Sequence, residues 1–176
     1  WINCYNAFTV KLILDNYPLK SIKDIKAGPD IPFIHSAWDI KFIEIEDQKY
    51  DLNNIEHGIL RDQFDEPKIH FAINCASISC PVLRNEAYIA DKLEDQLNDQ
   101  TEGFLSDPTK NEIGTDRLVL SKIFKWYKSD FNNSGSLIEF IDSFSSTSID
   151  KEAKIDYMDY NWSLNDVIKD WKSSKP

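Results

Sequence analysis

The sequence predicts a single α+β domain, in which a buried N-terminal helix and peripheral helices pack on a small mixed or antiparallel sheet. Three observations predict this class. Residues 1–17 form a largely apolar stretch that is followed by a proline, which is typical of a helix. Alternating segments within 42–52 and 113–120 are typical of antiparallel hairpins and disfavour a doubly wound parallel sheet. No repeat or long linker divides the chain, so we expect one domain over residues 1–176.

Composition limits the class of protein and of partner. Hydrophobic residues make up 41% of the chain, enough for a core without disulfides, and no apolar run approaches the roughly 20 residues of a membrane span. The sequence is therefore typical of a soluble globular domain. The net charge of −10 disfavours nucleic acid or an anionic membrane surface as a partner. Because the chain begins at Trp1 without a methionine, we expect the native protein to carry a further N-terminal segment.

The N-terminal helix is predicted over residues 1–17, with Pro18 as its stop. Apolar residues lie nearly all round this helix, which indicates that it is buried. Asn3 and Asn6 lie on it, so each needs a hydrogen-bond partner in the core or at a functional site. Bonding to nearby backbone is the alternative for both.

Short segments follow the first helix. Residues 21–25 predict a helical turn, and the glycine and prolines of 28–32 predict a loop. Alternation in 42–46 and 49–52 predicts a β-hairpin with one apolar face.

A short helix is predicted after the hairpin, with Asn53 as its N-cap. His57 and Arg61 are four residues apart on this helix, so they lie on the same face. We expect the Arg61 guanidinium at the rim or floor of a shared site, or paired with a carboxylate such as Glu56 or Asp65.

The next segment combines a predicted strand with small polar residues. Large apolar residues alternate with smaller or polar ones over 69–74, which predicts a strand that ends at Cys75. Residues 76–80 are mostly small and polar, and Pro81 starts a new backbone direction. A strand end that opens into such residues is a common place for a binding or catalytic site.

The remaining elements are peripheral to this segment. They are an acidic helix over 86–105, a hairpin over 113–120, an aromatic helix over 122–131 capped by Ser121, a helix over 137–144 and a strand within 154–162. The aromatic residues of the 122–131 helix are more typical of a core than of a cofactor site.

Three cysteines are too few for a disulfide scaffold, and their spacing matches no compact zinc motif. Cys75 and Cys80 are compatible with a local disulfide, with two thiols, or with one functional thiol and one packing residue. Pro81 restricts Cys80 to extended conformations, which allows a bridge without requiring one. We predict reduced thiols with Cys75 at the site.

The enzymatic hypothesis is thiol-dependent hydrolysis or acyl transfer with Cys75 as the nucleophile. A thiol titrates near about 8.5, so a neighbouring base or cation must hold it as a thiolate at neutral pH. His57 or His70 is the candidate base, with Glu56 or Asn3 orienting the imidazole. Since strand residues 70 and 75 point to opposite faces, His57 is the better partner.

Other hypotheses remain open. A non-catalytic module would hold a small anionic molecule or a peptide with Arg61, Asn74 and the small-residue loop, around a structural cluster of cysteine and histidine. Alternatively, His57 hydrogen-bonds core backbone and Cys75 is simply buried. We predict no metal and no cofactor, because His57, His70, Cys75 and Cys80 lack a metal-site spacing.

Several motifs resemble, in order, those of the domain-of-unknown-function 547 family: WINCYNAFTV, NYPLKSIKDI, IEHGILR, IHFAINCASISCP, LSKIFKWYKSDF and YNWSLND. The resemblance implies a polar site among the family's characteristic positions: Asn3, Tyr5, Asn6, Glu56, His57, Arg61, His70, Asn74, Cys75, Ser79 and Cys80. It also implies export from the cell, since bacterial members often carry export signals. Cys4 and Asn161 depart from the family pattern, in which an apolar residue and an aspartate are usual.

Overall fold

The computed structural model describes residues 1–26, 36–133 and 135–166. The α-helices are α1 (Ile2–Asp15), α2 (Leu52–Ile55), α3 (Arg61–Gln63), α4 (Ile69–Ala72), α5 (Leu93–Ser106), α6 (Lys122–Trp126), α7 (Lys128–Phe131) and α8 (Leu137–Phe144). The strands are β1 (Ile43–Ile45), β2 (Gln48–Tyr50), β3 (Glu112–Ile113), β4 (Arg117–Leu120) and β5 (Lys154–Tyr157). Short 3₁₀ helices cover Ile22–Asp24, Ala37–Asp39 and Ala90–Lys92. The predicted loop over 28–32 lies outside the described residues.

Helix α1 confirms the predicted N-terminal helix, with ends one or two residues inside the predicted ones. It is buried along one face, which carries Tyr5, Asn6 and Thr9, while Leu14 on another face is 67% exposed. The helix is therefore buried on one side and not all round, because only that side packs against the rest of the domain.

The strands form two small sheets. Strands β1 and β2 pair as the predicted antiparallel hairpin, with Ile43 opposite Tyr50. Strand β4 pairs antiparallel with β3 and parallel with β5, so the three-stranded sheet is mixed. This confirms the predicted class of a small mixed sheet within an α+β fold.

The predicted strand over 69–74 is wrong. Residues Ile69–Ala72 form the single-turn helix α4, and only Ile73 after it is extended (φ −93°, ψ 140°). The turn starts early, because the N–H of His70 donates to the carbonyl of Pro67. All four residues of α4 are buried. A short run that is buried on every side has no exposed face, so its sequence pattern does not distinguish a helical turn from a strand. Residues 70 and 75 do not lie on one strand, so the prediction that they point to opposite faces of one strand is wrong.

Two smaller predictions also change. The N-cap of α2 is Asp51, whose carboxylate accepts the N–H of Asn54 at 2.6 Å, and not Asn53. The acidic helix begins later than predicted, with the 3₁₀ turn Ala90–Lys92 leading into α5.

Helix α2 continues as a π-helical segment, Glu56–Leu60, before α3. Such π segments often occur at functional sites.

The core consists of two hydrophobic clusters that meet at α4. The first surrounds α1, α2 and the β1–β2 hairpin, and it includes Ile69. The second lies among the mixed sheet and α5–α8, and its rings pack on Phe71, including Phe104 at 5.0 Å between centroids. Residues of one helical turn thus join the two clusters.

No helix among the described residues is long and apolar enough to cross a membrane.

Asn6 fastens α1 to the chain that follows α4. Its Nδ2 donates to the carbonyl of Ala72 at 2.9 Å, and its Oδ1 accepts the N–H of Asn74 at 2.8 Å. Asn6 is 8% exposed, so water does not substitute for these bonds.

Replacing Asn6 with alanine tests this link. Asn6→Ala leaves two backbone groups without partners, so we expect a loss of about 2 kcal/mol or more in the free energy of unfolding, measured by urea denaturation. Asn133→Ala is the matched control, because Asn133 makes an exposed hydrogen bond to Asp65, and we expect a change within about 0.5 kcal/mol. Equal losses in the two variants would contradict the role assigned to Asn6.

Candidate functional site

A compact loop after α4 holds two thiols together. The side chain of Asn74 donates to the carbonyl of Pro81 at 2.7 Å and accepts the N–H of Ala76 at 2.7 Å. Ala76 takes a left-handed conformation (φ 63°), which is uncommon for a residue other than glycine, and the Asn74 bond holds it there. The loop closes again where the N–H of Cys80 donates to the carbonyl of Ser77. The segment between Asn74 and Pro81 is therefore fixed at both ends.

The Cys80 sulfur is surrounded by hydrogen-bond donors. It accepts the backbone N–H of Cys75 at 3.1 Å and the hydroxyl of Ser77 at 3.3 Å, and the Tyr160 hydroxyl lies 3.4 Å away. The Cys75 sulfur lies 3.6 Å from the same Tyr160 hydroxyl and 3.9 Å from that of Ser77. Both cysteines are free thiols in this structure.

These contacts separate the acidities of the two thiols. Burial raises the pKa of the Cys80 thiol, but hydrogen bonds from Cys75, Ser77 and Tyr160 outweigh burial and lower it to about 6. The neighbouring Cys80 sulfur, together with burial, raises the pKa of Cys75. The hydrogen bonds therefore favour the thiolate form at Cys80, whereas burial and the neighbouring sulfur favour the protonated thiol at Cys75.

A carboxylate on α7 binds an imidazole and a guanidinium on the other side of the site. Asp130 accepts Nε and Nη2 of Arg61 at 2.6 and 2.8 Å, and Nε2 of His70 lies 2.8 Å from its Oδ2. The Arg61 guanidinium holds the pKa of the Asp130 carboxyl well below its usual range, despite partial burial. Burial lowers the pKa of His70, which is 2% exposed, so its imidazole is neutral at pH 7. With Nε2 donating to Asp130, Nδ1 of His70 is left as a proton acceptor.

Glu56 accepts two tyrosine hydroxyls beneath these groups. Tyr127 donates to its Oε1 at 2.6 Å and Tyr5 to its Oε2 at 3.2 Å. Burial, reinforced by the Glu56 carboxylate, raises the pKa of both tyrosines, so both remain donors. The Tyr127 ring stacks on His70 with centroids 3.9 Å apart and fixes the plane of the imidazole.

One cavity of about 270 Å³ brings these groups together. The side chains that line it include Glu56, His57, His70, Cys75 and Cys80. This volume suits a small molecule or one side chain of a larger one.

Aromatic rings form part of the cavity lining. The Trp162 ring packs on Trp38 and Trp126, with centroids 5.7 and 5.8 Å apart, and all three line the cavity. The segment that carries Trp162 is held beside the thiol loop, because Ile78 donates its N–H to the carbonyl of Ser163 at 2.9 Å. Residues near the end of the described chain thus form one wall of the site.

Several predicted site residues have other partners. Asn3 lines a different cavity and hydrogen-bonds the backbone of Tyr88, so it orients no imidazole. Glu56 binds tyrosines and does not orient His57. Arg61 pairs with Asp130, and not with Glu56 or Asp65, because α7 packs beside α3.

The other predicted residues are close to the thiols but differ in role. Asn6 and Asn74 support the loop from below, and Ser79 accepts the N–H of Asn161 at 2.9 Å. His57 is exposed at the cavity, and its Nδ1 lies 3.0 Å from Nη1 of Arg61, which donates to it. Within the described residues neither sulfur is hydrogen-bonded to an imidazole.

Sequence reasoning missed Asp130, Tyr127, Tyr160 and the three tryptophans that line the cavity. Asp130 and Tyr127 belong to the motif LSKIFKWYKSDF, and Tyr160 begins YNWSLND, so the family pattern contained a signal. The first motif was interpreted only as core because its apolar residues dominate. Among the described residues, no group of three or more His, Cys, Asp or Glu side chains is placed to hold a metal ion.

Comparison with protein families matches residues 1–105, more than half of the chain, to the family described as "Protein of unknown function, DUF547". The chain belongs to this family. The match confirms the resemblance for the motifs up to IHFAINCASISCP, whereas LSKIFKWYKSDF and YNWSLND lie beyond the matched residues. Comparisons with curated proteins and with solved structures find no match.

The Asp130 cluster predicts a pH-dependent stability. Asp130→Asn removes the partner of Arg61, so we expect a loss of about 2–3 kcal/mol in the free energy of unfolding at pH 7. Because the folded pKa of Asp130 lies below its unfolded value of about 3.9, its stabilisation is fully present above that pH. This stabilisation is lost as the pH falls through the folded pKa. The difference in the free energy of unfolding between wild type and variant therefore becomes smaller below about pH 4.

Denaturation curves at pH 7 and pH 3 measure this difference. Asp159→Asn is the control, since Asp159 is fully exposed where it pairs with Lys122 and we expect a much smaller loss from this variant. A difference for Asp130→Asn that stayed constant with pH would contradict the ionic origin of the stabilisation.

Proposed function

We propose that this protein is a thiol-dependent hydrolase or acyl transferase in which Cys80 is the nucleophile. The observation that carries the proposal is the Cys80 sulfur, which faces three hydrogen-bond donors. Cys80 lines the same cavity as His70, whose Nε2 is bonded to Asp130. A thiolate stabilised in this way attacks carbonyl carbon without a base in direct contact. This assignment differs from the sequence-based hypothesis, which placed the nucleophile at Cys75.

In the proposed first step the Cys80 thiolate attacks a substrate carbonyl. A carbon–sulfur bond forms, the bond to the leaving group breaks with its electron pair, and a thioester on Cys80 results. Cys75 supports this step through its backbone N–H, which stabilises the thiolate before attack. Its own thiol stays protonated and does not compete.

In the second step His70 acts as the base. Nδ1 takes a proton from water or from an acceptor alcohol or amine, which attacks the thioester and releases the Cys80 thiolate. The proton then passes from the imidazolium to the departed leaving group. Asp130 stabilises the transient imidazolium through the bond to Nε2, and Tyr127 keeps the ring in place.

His57 has a different part in this scheme. Arg61 donates to its Nδ1, so the proton of the neutral ring is on Nε2. His57 is exposed and lines the cavity, where this Nε2–H is a hydrogen-bond donor. Such a donor binds a substrate oxygen or the leaving group. This replaces the predicted role of His57 as the base.

The pH dependence of alkylation tests the thiolate. We expect iodoacetamide to modify Cys80 at a rate that rises through an apparent pKa of about 6 and is maximal by pH 8, as measured by mass spectrometry of the alkylated peptides. Tyr160→Phe removes one donor to the sulfur and shifts this profile to higher pH. Tyr157→Phe, a nearby tyrosine without a bond to sulfur, leaves it unchanged. A wild-type rate that rises only above pH 8 would instead favour the non-catalytic ligand- or peptide-binding module.

Acylation tests the chemistry itself. With p-nitrophenyl acetate as the probe, we expect a burst of nitrophenol and an acetyl group on Cys80, both absent in Cys80→Ser. His70→Asn should keep the burst but slow turnover by about 100-fold, because general base catalysis acts on deacylation. Cys4→Ser is the control, since Cys4 lies on α1 outside the cavity. Acetylation at Cys4 alone, or equal turnover in His70→Asn, would refute the assigned roles.

A further inference from the structure

We propose that Cys75 and Cys80 are a peroxide-reactive modification site, at which Cys80 is oxidised first and Cys75 then closes a reversible disulfide. The inference rests on the arrangement of the two sulfurs and holds whether or not the protein transfers acyl groups. It assigns to Cys75 a function that acyl transfer does not require.

The geometry places both sulfurs around the same two hydroxyls. Tyr160 Oη lies 3.6 Å from the Cys75 sulfur and 3.4 Å from the Cys80 sulfur, and Ser77 Oγ lies 3.9 and 3.3 Å from them. The Cys80 sulfur also contacts the backbone N–H of Cys75 at 3.1 Å. A disulfide needs about 2.05 Å between sulfurs, which the short loop allows by side-chain rotation with little backbone movement.

Access favours a small oxidant. Cys80 is only 4% exposed and Cys75 is half-buried, yet both line the cavity of about 270 Å³. Hydrogen peroxide or a small alkyl hydroperoxide fits such a space, whereas a bulky disulfide does not. The chemical class of the oxidant is therefore a small hydroperoxide.

The reaction balances with one hydroperoxide and two thiols. The Cys80 thiolate attacks the terminal peroxide oxygen, the O–O bond breaks, and the departing oxide takes a proton from water, which leaves a sulfenic acid on Cys80. The Cys75 sulfur then attacks the Cys80 sulfur and the S–O bond breaks. Hydroxide leaves and combines with the Cys75 proton as water. Two electrons from the thiol pair thus reduce one peroxide. Two equivalents of an external thiol, or one dithiol, then restore both cysteines and are themselves oxidised to a disulfide.

The hydrogen bonds around the sulfurs support this order of events. Cys80 accepts three donors and is the better nucleophile at neutral pH, while Cys75 retains its proton until attack. The distance between the two residues along the chain is short, so the second step is intramolecular and fast relative to further oxidation. If the proposed acyl transfer is correct, the disulfide also blocks it, because a bridged Cys80 is no longer a nucleophile.

The test treats the full chain with one equivalent of hydrogen peroxide at pH 7, followed by alkylation without reduction and mass spectrometry. We expect a crosslinked Cys75–Cys80 peptide whose mass is two hydrogens below that of the same peptide with two free, unalkylated thiols. Dithiothreitol should restore both thiols. In Cys75→Ser we expect a Cys80 sulfenic acid that dimedone traps, and Cys4→Ser should behave as wild type. Ester substrates are absent from this experiment, so its outcome is independent of the acyl-transfer test.

Three outcomes would overturn the inference. They are oxidation of wild-type Cys80 to sulfinic acid without a crosslink, a crosslink that involves Cys4, and unmodified thiols after excess peroxide. The wild-type crosslink alone decides the case if Cys75→Ser fails to fold.

Discussion

The structure depends on a chain of amide hydrogen bonds that runs from α1 to the thiol loop. Asn6 holds the backbone on both sides of Ile73, and the side chain of Asn74 then fixes the beginning and end of the loop. Each amide uses both its donor and its acceptor in a buried setting, where an unmade bond is costly. Asn6 and Asn74, which are 68 residues apart, therefore hold the loop that carries the sulfurs against the first hydrophobic cluster. The left-handed backbone of Ala76 persists because these bonds outweigh its strain.

A charge organises the contacts of His70, which lines the cavity. Asp130 is partly buried and binds Arg61, His70 and Ser129 together, so desolvation of the carboxylate is offset by several hydrogen bonds. This cluster joins α3, α4 and α7. Residues 1–105, which match the family, contain both thiols, both imidazoles at the cavity, Glu56 and Arg61. The groups that orient or contact them, including Tyr127, Asp130 and Tyr160, come from the following part of the chain, so the site requires both.

Competition between burial and hydrogen bonding determines the chemistry of the thiols. Burial alone raises the pKa of a thiol, and for Cys75 the nearby Cys80 sulfur adds to this effect. At Cys80 the hydrogen bonds outweigh burial in setting the pKa, because the side chains of Cys75, Ser77 and Tyr160 all bond one sulfur. Preorganised donors of this kind stabilise charge without reorganisation during a reaction. The same asymmetry underlies both the nucleophile of the proposed acyl transfer and the order of events in the proposed oxidation.

The sequence by itself determined the α+β class, the helix α1 and both hairpins, because these follow from local periodicity and residue type. It failed at Ile69–Ala72, where burial on every side hides the difference between a helical turn and a strand. Only the tertiary structure decided that His70 shares the cavity, that Asp130 is its partner and that three hydrogen-bond donors surround the Cys80 sulfur. The physical reason is distance along the chain: the bonds to Asp130 and Tyr160 span 60 and 80 residues, and no local pattern encodes which donors will converge on one atom.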